Sequence, residues 1–281
     1  PITCGPDMAF AIGKTSRGMH NPRARHVAML RKLIAYLWKT RDYKLHYYRD
    51  GSNIRSLFTD LQEQDKAISI FAASDGQNIN PVAPALVGLA DANFANVRDE
   101  ELKSISGFVL FVLYCAVSWR SKMQTITAES THEAELIAVA LAANEMVWIR
   151  RLLTELGFAL GKAAIARNEL DPTDPETLKH HLPVLEEQDD DEYESEGGDY
   201  VIPTSVLGND NMGTTQTVNN PETKPRNRFV GTKHFKTRKY IMWARLAVNY
   251  IPTAKTVSDM FTKALVYGPF AKFRTYVGVT L

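Results

Sequence analysis

Apolar positions repeat at helical spacing along the middle of the chain. Within 119–156 they recur at steps of three and four, which predicts a long amphipathic helix with one buried stripe. The members of that stripe are Val139, Ala142, Met146, Ile149 and Leu153. Glu135 lies four residues before Val139, on the same stripe, whereas Glu133 points away from it. A buried carboxylate is costly unless a cation pairs with it, so Glu135 is either a half-exposed acid of the first turn or a metal ligand.

Short apolar runs upstream of this helix predict strands. In the run LVGLAD, alternation places Val87, Leu89 and Asp91 on one side of a strand. Two further runs, at 105–114 and 115–120, are rich in Val, Phe and Leu and predict two more strands.

Downstream, a similar strand TSVLGND ends in Asp210. A weak helix or loop follows at 211–220, a last strand is predicted at 247–251, and a short helix at 256–265 carries Asp259. Three adjacent strands followed by alternating helices and strands predict an α/β fold with a mixed five-stranded sheet flanked by helices. Asp91 and Asp210 would both lie at carboxyl ends of strands, where ligand sites of such sheets gather.

The N-terminal region predicts a small helical unit within 6–47. Its second helix follows Asn21-Pro22, with proline at the first helical position. The apolar residues of this helix fall on one face, namely Val27, Leu30, Leu33, Ile34 and Leu37. The other face is basic, which suits either a solvated surface or contact with nucleic acid.

The net charge of +1 conceals a segregation of charge. Nine acidic residues and no basic residue lie within 186–199, so the rest of the 281-residue chain carries +10. A basic body with a detached acidic segment suits a nucleic-acid-binding protein. We predict that 161–200 is an acidic, disordered insertion, and that deleting 186–199 tightens binding to nucleic acid if the segment competes for the basic surface.

The cysteines and the lengths of the apolar runs indicate which kinds of protein are not expected. Cys4 and Cys115 fit no metal-ligand spacing, so a disulfide framework is not expected and a reducing compartment is. No apolar run reaches membrane-spanning length, and no signal peptide is recognisable. A first residue that is proline rather than methionine is expected for a processed or excised piece of a longer protein.

Four acids are candidates for one metal cluster: Asp91, Glu135, Asp210 and Asp259. Clustered carboxylates raise one another's pKa, and a divalent cation relieves that repulsion. Mg²⁺ prefers hard oxygen ligands and usually takes a few carboxylates together with phosphate oxygens. Two such ions about 4 Å apart can activate a water and stabilise the leaving oxygen in phosphodiester cleavage.

The stretches that hold these acids resemble the ribonuclease H domain of copia-type LTR retrotransposon Pol polyproteins. ADANFAN resembles the family pattern SDADWAG and holds Asp91, and SWRSKMQTITAESTHEAELIAV resembles SWKSKKQ…SSTEAEYIAL and holds Glu135. GNDNMGT resembles YCDNQSA and holds Asp210, TKHFKTRKYIM resembles TKHIDIRYHFI, and VSDMFTKAL resembles LADILTKPL and holds Asp259. Residues 6–26 resemble the segment between polymerase and ribonuclease H, in the thumb or connection of a reverse transcriptase.

The resemblance implies a fold, a division into domains and a metal. It implies a ribonuclease H-like sheet whose first half is 82–160 and second half 201–281, separated by the insertion 161–200 and preceded by a helical thumb- or connection-like segment, 1–70. Mg²⁺ is the expected cofactor, as two ions with Mn²⁺ as an alternative, held by the four acids named above.

The resemblance also implies partners and a place in the cell. The expected activity is cleavage of the RNA strand of RNA/DNA hybrids, whose A-like groove and 2′-hydroxyls a protein can sense. Backbone contacts are predicted at Lys122, Lys233, Arg238 and Lys239. The expected partners are the hybrid and the remainder of a Pol polyprotein or a larger host assembly, in the cytoplasm, nucleus or a retroelement particle.

The chain also departs from the family pattern. Asn93 stands at a second aspartate, Phe94 at tryptophan, Asn209 at cysteine and Lys236 at an acid. The alternative is therefore a retired or domesticated copy that serves as a nucleic-acid-binding or structural subunit of a larger assembly. An integrase or transposase of the same general fold is disfavoured, because its glutamate typically lies on a late helix, whereas Glu135 lies on the first long one.

Overall fold

The computed structural model describes residues 5–48, 52–54, 57, 86–94, 103–156, 159–160, 201–202, 205–220, 236–242 and 246–281. The predicted acidic insertion and Lys233 lie outside the described residues.

Strands and helices follow one another along the described parts of the chain. The strands are β1 (Lys44–Leu45), β2 (Leu86–Asn93), β3 (Ile105–Val112), β4 (Cys115–Met123), β5 (Ala159–Leu160), β6 (Val201–Ile202), β7 (Ser205–Asn209), β8 (Leu246–Tyr250) and β9 (Val279–Thr280). The α-helices are α1 (Ala9–Ser16), α2 (Ala24–Lys39), α3 (Thr131–Glu155), α4 (Met212–Asn219), α5 (Lys236–Met242) and α6 (Tyr267–Tyr276). Short 3₁₀ helices cover Pro6–Met8, Thr253–Lys255 and Val257–Phe261.

A mixed five-stranded sheet forms the centre of the fold, in the order β4-β3-β2-β7-β8. β2, β3 and β4 pair antiparallel, whereas β7 runs parallel to β2 and β8 runs parallel to β7. The prediction of a mixed α/β fold, consistent with a ribonuclease H-like sheet, is confirmed. The parallel pairing of β2 with β7 ends at Ala90 and Asn209, so the next residues along the two segments are Asp91, still in β2, and Asp210, just after β7.

Apolar side chains cover both faces of this sheet. The predicted stripe of α3 is buried against one face, where it packs with Phe108 and Leu110 of β3. On the opposite face, Phe111 packs in one cluster with Phe261 and Phe273. Helix α3 thus forms one layer, and the segments after β8 form part of the other.

The N-terminal region shares the core of the second face. Ala9, Ile54 and Leu57 are buried in the same cluster as Phe111. β1 pairs with β9 at the end of the chain, and the Tyr36 hydroxyl donates a hydrogen bond to Asp7. The proposed division of the chain into domains stays a prediction.

Helix α2 differs from its prediction at its start and in its burial. It begins at Ala24 with Arg23 as N-cap, so the prediction of Pro22 at the first helical position is wrong. None of its residues is fully buried. Four members of its predicted apolar face are exposed, namely Val27, Leu30, Ile34 and Leu37.

The C-terminal region also differs from its predicted secondary structure. The expected helix at 256–265 is a 3₁₀ helix over Val257–Phe261, and the α-helix α6 follows where none was predicted. Buried Val257, Met260 and Phe261 recur at a spacing that either type of helix produces, so the apolar pattern does not distinguish the two. Among the described residues, no helix combines the length and apolar content needed to cross a membrane.

Candidate metal centre

Asp91 lies inside β2, two residues before that strand ends, and only 2% of its surface is exposed. Val87 and Leu89, which precede it at alternate positions, are buried in the core of the second face, as strand alternation requires. Gly107 of β3 pairs with Asp91. A Cβ on Gly107 would lie 2.7 Å from Cβ of Phe261, so this glycine allows the 3₁₀ helix to approach the sheet beside Asp91.

Glu135 is held at the start of α3 by a well-capped first turn. The Ser130 hydroxyl accepts a hydrogen bond from the Glu133 amide at 3.1 Å, and the Glu133 carboxylate accepts one from the Glu129 amide at 2.8 Å. This cap begins the helix where Glu135 faces the sheet. Glu135 is 4% exposed, so the interpretation of a half-exposed first-turn acid is wrong.

Asp210 follows the last residue of β7, where the chain turns into α4. The Asn211 side chain caps α4 by accepting a hydrogen bond from the Thr214 amide at 2.9 Å. The Asn209 side chain accepts one from the Asn211 amide at 3.0 Å. These bonds fix the turn on both sides of Asp210, whose side chain is half-buried.

The structure brings three of the four predicted acids together. Asp91, Glu135 and Asp210 each offer one carboxylate oxygen, and these oxygens all lie within 4.8 Å of one another. They come from β2, α3 and the end of β7, which are remote in sequence. Such a set of hard oxygen ligands could hold a metal ion.

Asp259 is not among these three, but a lysine links it to Asp91. It is buried in the last 3₁₀ helix, and its Oδ1 lies 2.8 Å from Nζ of Lys263. The same Nζ lies 3.8 Å from Oδ2 of Asp91, and the Thr262 hydroxyl donates a short hydrogen bond to that oxygen. The fourth acid therefore adjoins Asp91, and Lys263 contacts both.

Burial perturbs the protonation of the cluster. Loss of solvent, together with the charges of Asp259 and Asp210, raises the pKa of Asp91 to about 7 against the opposing effect of Lys263. Loss of solvent and the charges of Asp91 and Asp210 raise the pKa of Glu135 to about 8. Burial also raises the pKa of Asp259 despite its ion pair with Lys263. The cluster resists full ionisation, which a divalent cation would relieve.

A buried amide orients Glu135. The Asn209 Nδ2 donates hydrogen bonds to Oε2 of Glu135 and to the carbonyl of Ala90, both at 3.0 Å. Asn209 is fully buried, so this neutral side chain fixes the glutamate against the end of the sheet. It also stabilises the ionised form of Glu135 and so opposes the rise in its pKa.

The predicted nucleic-acid contacts have different surroundings. Lys122 on β4 and Lys239 on α5 are exposed. Arg238 is half-buried, and its Nε and Nη2 donate hydrogen bonds to the Thr217 carbonyl at 3.0 and 2.7 Å, so it joins α5 to α4. Contact with nucleic acid stays a prediction for each of them.

The sequence did not predict a role at the site for Lys263, Asn209 or Thr262. Lys263 follows Asp259 by four residues, a spacing typical of acid–base pairs on a helix, and this signal could have found it. Asn209 was visible only as a departure from the family pattern. Thr262 carries no signal of its own, because its contact with Asp91 depends on how the 3₁₀ helix meets the sheet.

Comparison with known proteins confirms the predicted resemblance: the chain's homologues, at 24–34% identity, are copia-type retrotransposon Pol polyproteins. It is 24% identical over 275 residues to the Retrovirus-related Pol polyprotein from transposon RE1 of Arabidopsis thaliana, covering 98% of this chain and 14% of that protein. It is 34% identical over 152 residues to the corresponding polyprotein from transposon TNT 1-94 of Nicotiana tabacum, covering 54% of this chain and 9% of the relative. The chain thus spans a small part of these relatives.

A relative of different description also matches. Secreted RxLR effector protein 161 of Plasmopara viticola is 29% identical over 148 residues, covering 53% of this chain and 82% of the effector. A foamy viral protease–reverse transcriptase, solved in complex with an RNA/DNA hybrid, aligns over 68% of this chain and 21% of its own, at 14% identity and a TM-score of 0.31. No protein-family model matches the chain.

Proposed function

We propose that this chain is a metal-dependent endoribonuclease that cleaves the RNA strand of RNA/DNA hybrids. The observation that supports it best is the approach of Asp91, Glu135 and Asp210, whose carboxylate oxygens lie within 4.8 Å of one another. Buried acids whose pKa is raised, as for Asp91 and Glu135, are costly for the fold and are more often retained for function than for stability. Homology to Pol polyproteins supports a nuclease-type function.

The donor set fits Mg²⁺. All three groups offer hard carboxylate oxygens, and the end of the parallel pair β2–β7 leaves them at one edge of the sheet. When bound, such an ion polarises a phosphoryl oxygen and lowers the pKa of a bound water. Asp91, Glu135 and Asp210 would hold one ion, and a second ion would have to share Asp91 with Asp259, where Lys263 lies.

The protein's own residues hold this arrangement in place before any ion arrives. Asn209 orients the carboxylate of Glu135, and Thr262 orients that of Asp91. Because both donors are fully buried, the two carboxylates keep their positions without solvent support. Preorganised ligands of this kind stabilise charge in a transition state at little cost of reorganisation.

A cleavage assay tests the proposal. A labelled RNA/DNA hybrid should be cut with Mg²⁺ and left intact with EDTA, whereas a DNA duplex should resist under both conditions. Asp91→Asn and Asp210→Asn should each abolish cleavage. Glu155→Gln, which changes an exposed acid at the far end of α3, is the matched control and should cleave normally. Full cleavage by both asparagine variants would reject the proposal.

A second candidate is a retired or domesticated copy that acts as a binding or structural subunit of a larger assembly. The effector protein of Plasmopara viticola favours it, because that relative is not described as a Pol polyprotein although this chain covers 82% of it. Stable association with a larger complex, combined with no cleavage of hybrids at any Mg²⁺ concentration, would decide for this candidate.

A further inference from the structure

Lys263 places a positive charge inside the acidic cluster. Its Nζ lies 2.8 Å from Oδ1 of Asp259 and 3.8 Å from Oδ2 of Asp91, so one ammonium bridges two of the four acids. The side chain is 36% exposed, whereas the Asp91 side chain is 2% exposed. The ammonium therefore reaches from the surface toward a buried carboxylate.

The backbone holds this lysine in place. The amides of Thr262 and Lys263 both donate to the Asp259 carbonyl, at 3.1 and 3.0 Å. This turn keeps Lys263 one turn beyond Asp259, the spacing at which their side chains meet. The buried Thr262 between them anchors the same turn to Asp91. The ion pair is thus built into the segment that carries Asp259.

Glu135 and Asp210, the other two acids of the cluster, form no such contact with a basic side chain among the described residues. Glu135 receives a hydrogen bond from the neutral amide of Asn209. A divalent ion at Asp91, Glu135 and Asp210 would be held by three carboxylates, of which only Asp91 lies within ion-pair distance of Lys263. An ion bound between Asp91 and Asp259 would meet the ammonium of Lys263, and like charges at contact distance in a poorly solvated site repel strongly.

We propose that Lys263 occupies the position of the second cation, so that the chain binds one divalent ion tightly and admits another between Asp91 and Asp259 only when Lys263 withdraws. Lys263 is a positioning residue in this scheme, because it acts through the two acids. Its side chain is partly exposed, so the ammonium can move toward solvent. This inference rests on the proposed function in one respect, which is that the divalent ion is taken to be the one that cleavage requires.

Calorimetric titration of the full chain with MnCl₂, without nucleic acid, tests the number of ions directly. The wild type and Lys263→Arg, which keeps the charge, should each bind one ion tightly. Lys263→Met should bind a second ion at least tenfold more tightly than the wild type does. Lys263→Gln removes the same charge with a polar side chain and should behave as Lys263→Met does, so either variant that melts cooperatively serves. Two ions of equal affinity in the wild type, an unchanged titration in the neutral variants, or no ion in any form would overturn the inference.

The cleavage assay separates this inference from the proposed function. If the wild type binds one ion and Lys263→Met binds two, the inference holds even when no hybrid is cut, and only the proposed function fails. If the wild type cuts hybrids but the neutral variants titrate like the wild type, the function stands and the role of Lys263 is rejected.

Discussion

The two groups of acids that meet at Asp91 differ in how their charge is balanced. Glu135 and Asp210 adjoin Asp91 on one side, and the Asn209 amide contributes a neutral donor there. Asp259 adjoins Asp91 on the other, and the ammonium of Lys263 contacts both. Among the described residues, Glu135 and Asp210 have no ion pair of their own, whereas Asp259 has one with Lys263. The Asp91 carboxylate thus contacts both groups, and we expect the two groups to respond differently to metal, pH and mutation.

The difference has a structural origin. The first group forms where β2, β7 and α3 end or begin at one edge of the sheet, so its residues are held by long, buried elements. The second comes from Asp259, in a five-residue 3₁₀ helix that packs over Gly107, and from Lys263 just after that helix. A short segment can present an acid and a lysine four residues apart, so that the two neutralise each other within the segment.

Among variants that separate the two groups, the largest loss of cleavage should come from Glu135→Gln, and its effect on metal binding should be compared with that of Asp259→Asn. Glu135→Gln should reduce hybrid cleavage by roughly 100- to 1000-fold, the range typical of losing one electrostatic contact to a transition state. It should also weaken Mn²⁺ binding more than Asp259→Asn does, because Asp259 already has Lys263 as a partner. Single-turnover cleavage and calorimetry measure the two effects. Equal losses of Mn²⁺ affinity in the two variants would mean that the groups do not differ.

Stability should depend on pH in the absence of metal. The folded pKa values of Asp91, about 7, and Glu135, about 8, exceed those of the unfolded chain, which are about 4. The folded state then binds more protons than the unfolded state across this window, so stability falls as pH rises from about 4 to about 8. Melting in EDTA should be lower at pH 8 than at pH 5.5 by roughly 2–8 °C, and Mg²⁺ should restore much of the difference.

The control for this experiment is Glu135→Gln, which removes one of the two titrating groups. Its melting temperature in EDTA should change less between pH 5.5 and pH 8 than that of the wild type. If the wild-type melting temperature depended neither on pH nor on Mg²⁺, Asp91 and Glu135 would not carry the uncompensated charge that we infer for them.

A smaller effect should follow from removing the neutral donor of the first group. Asn209→Leu keeps the approximate size of the side chain but removes the amide that donates to Glu135 and to the Ala90 carbonyl. The free energy of unfolding should fall by about 1–3 kcal/mol, the cost of an unsatisfied buried group. Urea unfolding with Mg²⁺ present measures it. An unchanged free energy of unfolding would show that solvent replaces the amide.

The smallest effect should come from Thr262→Val, which removes a neutral donor on the side of Lys263. Asp91 loses one hydrogen bond there but keeps its ion pair, so we expect a loss of about 1 kcal/mol in stability. Cleavage should stay within a few-fold of wild type. A loss of cleavage as large as that of Glu135→Gln would show that Thr262, rather than Lys263, controls this side of Asp91.

Much of the fold was predictable because its signals are periodic. The stripe of α3 and the alternation of β2 follow from spacing that each element imposes on its own residues. The 3₁₀ helix and α6 were mispredicted or missed, because short segments near the chain end take their form from what they pack against. Exposure of the apolar face of α2 was equally invisible, since a helix pattern does not reveal whether a partner lies opposite.

The sequence alone predicted the strands, the long helix, the family resemblance and the four candidate acids. It could do so because each of these depends on residue types and spacings within a short stretch of the chain. Tertiary structure alone decided that three of the acids share one space, that Asn209 holds one of them, and that Lys263 stands between the fourth and Asp91. The physical reason is distance. Coulomb interactions and desolvation act between side chains that are neighbours in space, and the fold made neighbours of residues that the sequence keeps far apart.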